Sequence, residues 1–120
     1  MQWKNDVDKR QFYKTDSMLQ TIVCKLDEIS KAIFNKEIFI TSLFRKKIDD
    51  TGLHEVGRAA DLRTENYYTR LQITIFVFII NNIFVYDDKR RNMNVAVYHQ
   101  VSGSTWHLHV QVHPNTKQLW

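Results

Sequence analysis

Residues 105–113 read TWHLHVQVH, and this stretch decides both the fold class and the candidate site. Apolar and polar side chains alternate along it, and successive side chains of a strand point to opposite faces of a sheet. The pattern therefore predicts a β-strand with two different faces. The apolar face, which would build the core, consists of Trp106, Leu108, Val110 and Val112. The polar face consists of His107, His109, Gln111 and His113 and holds three of the chain's five histidines.

The rest of the chain supplies partners for this strand. Residues 95–101 also alternate, and Ser102-Gly103-Ser104 fits a turn, so the two stretches are predicted to form an antiparallel pair. Residues 36–45 and 58–63 read as two further strands. Apolar residues at helical spacing predict a helix over 16–34, with Ser17 and Gln20 as its capping box.

Residues 65–86 are open to two interpretations. The β-branched run from Ile73 to Val77 favours a strand, whereas an apolar face at helical spacing favours a helix that Thr64 would cap. The length of the segment favours the buried helix. The resulting order is helix, strand, strand, helix, strand, strand, which predicts an α+β fold with a small antiparallel sheet and packed helices.

Length and composition limit the protein class. The 120 residues fit one domain over 16–120, preceded by an arm over 1–15 that packs its aromatic residues on it. The contents of 43% hydrophobic and 25% charged residues are those of a globular chain rather than a disordered one. The single cysteine, Cys24, excludes an internal disulfide and a Cys-rich zinc finger, and we expect it to be an inert packing thiol.

Charge and hydropathy exclude further classes. The net charge of +4 suits an anionic partner, but the densest basic cluster, Lys89-Arg90-Arg91, is too short to predict nucleic-acid binding. The most apolar stretch, 71–86, is interrupted by polar residues and is shorter than the ~20 residues that span a bilayer, so no membrane insertion is predicted. The N-terminus has no signal-peptide pattern.

A second motif precedes the histidine strand. Residues 54–61 read HEVGRAAD, and His54 and Asp61 can approach one ion if the chain turns at Gly57. All three glycines of the chain lie within six residues of His54, Asp61, His107 or His109, so unusual backbone geometry is concentrated there. A metal held by histidine and carboxylate ligands is therefore predicted, the alternative being structural histidines on a plain scaffold.

These residues resemble the zinc D-Ala-D-Ala carboxypeptidase family. Residues 54–61 match its HxxGxAxD motif, residues 106–109 (WHLH) match its HxH strand, and residues 40–45 (ITSLFR) are similar to the strand before the first motif. The resemblance covers about residues 38–113. The wider group includes VanX-type dipeptidases, phage L-alanyl-D-glutamate endolysins, MepA-type murein endopeptidases and the hedgehog signalling domain. It implies the hedgehog or D,D-peptidase type of zinc-binding fold.

The resemblance also implies a set of residue roles. His54, Asp61 and His109 would hold one zinc ion and leave the fourth position to water, as in catalytic zinc sites. His107 would lie beside that water and stabilise the oxyanion or move protons. Arg45 matches the family arginine that contacts the carboxylate or carbonyl of the substrate. Glu55 lies next to a ligand and could orient it.

The chain departs from the family at the general base. Relatives place an acidic residue or a histidine three to six residues before the last ligand, and residues 103–106 here contain no such base. His99, on the neighbouring predicted strand, could reach the site instead. The His/His/Asp set suits zinc but would also hold cobalt, iron or manganese.

Two functions follow from these observations. The first is a zinc-dependent peptidase that cleaves peptidoglycan peptides with metal-activated water. Its context would be a phage or prophage, in which the protein is made in the host cytoplasm and acts at the cell wall or in a particle with phage structural proteins. The alternative is a non-catalytic zinc-binding structural or interaction domain, such as a virion component, which the missing base favours.

Overall fold

The computed structural model describes residues 1–43, 57–100 and 105–119, which form an α+β fold as predicted. Within these three ranges, three α-helices accompany a mixed five-stranded sheet and a small two-stranded sheet. The helices are α1 (Asp6–Gln11), α2 (Ser17–Ile29) and α3 (Arg70–Ile83). The strands are β1 (Gln2–Trp3), β2 (Phe39–Ser42), β3 (Ala59–Arg63), β4 (Phe84–Val85), β5 (Ala96–Gln100), β6 (Trp106–Gln111) and β7 (Lys117–Gln118).

The larger sheet has the strand order β1-β2-β3-β6-β5, and β4 pairs with β7 in the smaller one. The predicted antiparallel pairing of β5 with β6 is confirmed, and the turn predicted between them lies outside the described residues. The prediction of a wholly antiparallel sheet is wrong. Strand β1, contributed by the first residues of the chain, pairs with β2 in parallel and makes the sheet mixed.

Helix α2 begins one residue later than predicted and has a different cap. The Asp16 carboxylate accepts a hydrogen bond from the Met18 N–H at 2.8 Å, so Asp16 and not Ser17 is the N-cap. The amide of Gln20 instead donates to the carbonyls of Tyr13 and Thr15, so the predicted capping box does not form. A π-helical turn over Ser30–Phe34 extends the helix to the predicted end.

Cys24 is exposed, and the prediction of a packing thiol is therefore wrong. The buried apolar residues of α2 are Leu19, Ile22, Val23 and Leu26. These residues follow the i, i+3, i+4, i+7 spacing of one helix face, and Cys24 falls outside that stripe. The same spacing that predicts the helix thus places the cysteine in solvent.

Residues 65–86, which the sequence left open between strand and helix, contain helix α3, as the length of the segment predicted, but the helix begins only at Arg70. Thr69 is its N-cap and forms a full capping box with Gln72. Thr64 caps no long helix; its carbonyl accepts from the N–H groups of Tyr67 and Tyr68, and its hydroxyl donates to the Trp106 carbonyl. The helix is buried on one face only, at Ile73, Phe76 and Ile80.

The core lies between the helices and one face of the larger sheet, where α2 packs against β3 and β6. Its sheet residues include Ala60, Leu62, Leu108 and Val110. Trp106 is an exception to the predicted apolar face, because it lies at the strand end, is 43% exposed and packs on Tyr98 at 5.0 Å. Among the described residues, no helix has both the length and the apolarity needed to cross a membrane.

Candidate metal centre

The candidate site is built on three adjacent strands, because β6 lies between β3 and β5. In the register of these strands Asp61 is opposite His109, and His99 is opposite His107. Residues directly opposite each other in antiparallel strands project from the same face of the sheet. These four side chains therefore share one face, and Leu62, Leu108 and Val110 alternate with them toward the core.

Asp61 is the carboxylate of the cluster. Its Oδ1 lies 2.8 Å from His109 Nδ1 and 3.4 Å from His107 Nε2. Asp61, His107 and His109 are only 3%, 8% and 4% exposed, so the carboxylate faces both imidazoles in a largely dry environment. The Thr41 hydroxyl donates to the backbone carbonyl of Asp61 at 3.1 Å and ties β2 to β3 at this level.

His99 completes a group of three imidazoles. Its Nε2 lies 3.1 Å from His107 Nε2, and its ring centroid lies 5.0 Å from that of His109. One nitrogen atom from each of the three rings lies within 4.8 Å of the others. His99 is partly exposed, whereas His107 and His109 are buried, so His99 lies on the solvent side of the cluster.

The contact made by His107 Nδ1 shows that Nε2 is the nitrogen atom that faces the cluster. Its Nδ1 lies 3.1 Å from the Thr105 carbonyl oxygen, which can only accept a hydrogen bond. Nδ1 can therefore donate to this carbonyl, and the contact holds Nε2 toward Asp61 Oδ1 and His99 Nε2. Metal-binding histidines are commonly oriented by such a bond from the remote ring nitrogen.

The donor atoms present fit a divalent transition metal. Bonds of about 2.0–2.2 Å in a tetrahedral site separate ligand atoms by about 3.3–3.6 Å. The 3.4 Å separation between Asp61 Oδ1 and His107 Nε2 agrees with that range, and the 3.1 Å separation between His107 Nε2 and His99 Nε2 is slightly shorter. The 2.8 Å separation between Asp61 Oδ1 and His109 Nδ1 is that of a direct hydrogen bond, so a bound ion would have to widen it. Imidazole nitrogen and carboxylate oxygen are ligands that zinc accepts, and cobalt, iron and manganese accept them too.

The predicted site residues divide into two groups. Asp61, His107, His109 and His99 come together, whereas His54, Arg45 and Glu55 lie outside the described residues. His113 lies beyond the end of β6 and does not join the cluster. Its Nδ1 accepts from the Asn115 N–H and is 3.7 Å from Asp87 Oδ2.

Two residues on the site's strands were given no role by the sequence. Gln111 contacts His109, and Arg63 lies on β3 two residues after Asp61, opposite His107. The Arg63 guanidinium stacks over the Phe39 ring at 4.4 Å and is exposed. The period-two alternation already placed Gln111 on the polar face, and extending it through β3 would have found Arg63 as well.

Comparison of the chain with protein-family models, with curated proteins and with solved structures finds no match.

Proposed function

We propose that this chain is a zinc-dependent peptidase-like domain that cleaves peptidoglycan peptides with metal-activated water. One observation supports the proposal above all others: a buried carboxylate, that of Asp61, meets the imidazoles of His107 and His109 on one face of the sheet. A buried charged cluster of this kind is costly unless its groups pair or bind a metal. Such clusters are frequent at functional sites.

Asp61 and His109 would hold the zinc ion, with His54 as the third ligand that the family resemblance implies. Bound zinc lowers the pKa of its water to about 7 and polarises the carbonyl of a peptide bond. Asp61 and His109 reach the site from neighbouring strands in direct register, so the sheet itself fixes their separation. The hedgehog or D,D-peptidase type of fold remains part of this proposal.

His107 would hold and move the proton in this reaction. Its Nε2 faces Asp61 Oδ1 at 3.4 Å, next to the proposed ligands, and its Nδ1 is held by the Thr105 carbonyl. His99 lies 3.1 Å from the same Nε2 and is partly exposed, so it can pass the proton on to solvent. A positioned acid or base of this kind contributes about 10²–10⁴-fold in rate.

Arg63 gives the site a cationic group for the substrate. Arg63 lies opposite His107 on the same face of the sheet, and its guanidinium stacks on the ring of Phe39. A guanidinium binds carboxylates in a bidentate manner, and stem peptides of the cell wall contain carboxylates. Arg45, which the family resemblance selects for this role, remains a prediction. The net charge of +4 favours the same class of substrate.

The biological context is proposed from the family resemblance. The domain would be a phage or prophage product that is made in the host cytoplasm and acts at the cell wall. Phage structural proteins would be its partners if it is carried in a particle.

The proposal is tested by metal content and hydrolysis on the same preparations. Wild-type protein purified without chelator should contain one zinc ion per chain and clear a suspension of murein sacculi. His109→Ala should lose both properties, whereas the control His113→Ala should keep both, because His113 lies apart from the cluster. One zinc ion per wild-type chain without clearing would refute the peptidase, and the absence of metal would refute the site.

A non-catalytic zinc domain is the second candidate, and one observation favours it. Three imidazoles and one carboxylate could fill all four positions of a zinc ion and leave none for water. In that case His99→Ala and His107→Ala should each lower zinc affinity as strongly as His109→Ala. In the peptidase, by contrast, His107→Ala should retain zinc and lose hydrolysis.

A further inference from the structure

Helix α3 carries a second apolar face, opposite the face that packs on the core. The buried side chains of the helix are those of Ile73, Phe76 and Ile80. On the opposite side, Leu71 and Phe78 are separated by two helical turns and are 69% and 68% exposed. Ile75 lies between them on the same side and is only partly buried. An exposed row of large apolar side chains is typical of an interaction surface.

A groove adjoins this row at the C-terminal end of α3. The groove has a volume of about 460 Å³ and lies between α3, α2 and β7. It is lined by Lys25, Phe78, Ile79, Asn82, Ile83 and Gln118. Leu71 and Asn82 lie about 16 Å apart along the helix axis, so Leu71 is at the other end of the same face. The face therefore has a protruding apolar side chain at one end and a groove at the other.

The charges of α3 favour an antiparallel neighbour. Arg70 is the only charged residue of the helix, and it lies at the N-terminal end, where the helix dipole disfavours a cation. The first turn has no acidic residue, and the last turn has no basic residue. A second α3 that runs in the opposite direction would bring its own Arg70 to the C-terminal end, where a cation is favourable. The apolar row between the two ends carries no charge that would repel such a neighbour.

We propose that α3 is the interface of a symmetric dimer, in which two copies of this chain pack their α3 helices antiparallel. A two-fold axis between Ile75 and Phe78 brings Leu71 of each copy opposite Asn82 of the other. Each leucine then enters the groove of the other copy, as a knob enters a hole in coiled-coil packing. The same patch contacts itself, as in the interfaces of most homodimers. The inference is independent of the metal site, because none of these residues belongs to the histidine cluster.

The test is sedimentation equilibrium of the wild-type chain over a range of concentrations, with chelator present. Chelator excludes dimers that form because two copies share a zinc ion. An interface made by one helix is small, so we expect a monomer–dimer equilibrium in the micromolar range rather than a permanent dimer. Leu71→Glu should weaken the dimer by at least about 100-fold, because it places a charge in each of the two apolar grooves.

Val7→Glu is the matched control. Val7 is also an exposed aliphatic residue of a helix, but it lies on α1, so this variant should dimerise like wild type. Leu71→Glu should keep its fold, since Leu71 is exposed and an acidic residue in the first turn favours a helix. Circular-dichroism melting curves of both variants check that a loss of dimer is not a loss of folding.

The double variant Leu71→Glu with Asn82→Lys tests the antiparallel register. Within one copy the two positions are about 16 Å apart and cannot form an ion pair, whereas across the proposed axis they are opposite each other. The double variant should therefore regain at least about 10-fold of the dimer affinity that Leu71→Glu loses. In a parallel pairing position 71 would face its own copy, and nothing would be regained.

Four results would overturn the inference. They are a wild-type chain that stays monomeric at millimolar concentration, a dimer that Leu71→Glu leaves intact, an equal loss of dimer in Val7→Glu, and a double variant that regains no affinity. A monomeric wild type that binds vesicles of anionic lipid, and loses this binding in Leu71→Glu, would assign the face to a membrane surface instead of a second copy.

Discussion

Zinc should raise the Tm of this protein, and the size of the increase can be calculated from the binding free energy and the chain length. A ligand present at a hundred times its dissociation constant stabilises the folded state by about 2.7 kcal/mol. The entropy of unfolding is about 2.1 cal/mol/K per residue. For 120 residues, the free energy of unfolding therefore falls by about 0.25 kcal/mol per degree near the midpoint of the transition. The expected increase in Tm is therefore about 11 °C.

The variant Asp61→Asn should remove most of this increase. It keeps the shape of the side chain but removes the charge that both buried imidazoles face. Structural zinc sites bind with about 10–16 kcal/mol from four ligands, so one ligand accounts for roughly 3 kcal/mol, or about 100-fold in affinity. At the same free zinc concentration the increase in Tm should then be only about 2 °C.

Circular-dichroism melting curves with buffered zinc and with chelator measure both values. His113→Ala is the matched control, since it also removes one imidazole but lies outside the cluster, and its increase in Tm should equal that of wild type. An equal increase in Asp61→Asn would show that zinc binds elsewhere, and loss of the increase in His113→Ala would contradict the proposed ligand set.

Three further predictions concern the scaffold. Exposed Cys24 should react with a thiol reagent in the native protein as fast as in the denatured protein, and protection would contradict its exposure. Thr69→Ala should lower the free energy of unfolding by about 1 kcal/mol in urea titrations, because it removes the cap of α3; no change would mean that the capping box contributes nothing. Burial raises the pKa of Tyr68 to about 12 although its hydrogen bond with Ser30 lowers it, whereas the unfolded chain ionises near 10. The contribution of Tyr68 to the free energy of unfolding should therefore be constant below pH 10 and fall by about 3 kcal/mol between pH 10 and 12. Tyr68→Phe should show a smaller fall than wild type in alkaline unfolding curves.

The histidine strand could be predicted from the sequence because the alternation that indicates it lies within a few consecutive residues. Alternation with period two is a geometric property of any strand, so residues 105–113 alone indicate which side chains share a face. The same local argument is weakest at strand ends, where Trp106 turns out exposed. Helix caps are equally sensitive to one position, since Asp16 and Ser17 are both good caps and only the three-dimensional hydrogen bond decides between them.

Pairing between distant segments could not be derived from local patterns. Asp61 and His109 are 48 residues apart, and only the motif resemblance connected them before the register of β3 and β6 was known. Strand β1 has two residues and no alternation to detect, yet its parallel pairing with β2 changes the sheet type. Alternation placed Gln111 on the polar face, but its hydrogen bond to the Asn94 carbonyl, which comes from another segment, could not be predicted.

The sharing of one strand by core and site has a consequence for how this sequence can evolve. Leu108 and Val110 of β6 belong to the core, and His107 and His109, which alternate with them, belong to the histidine cluster. An insertion or deletion of one residue would exchange the two faces, burying histidines among the helices and placing leucine and valine in the site. Descendants of this sequence can thus gain or lose single residues at the loops, whereas Trp106–Gln111 can change only by substitution.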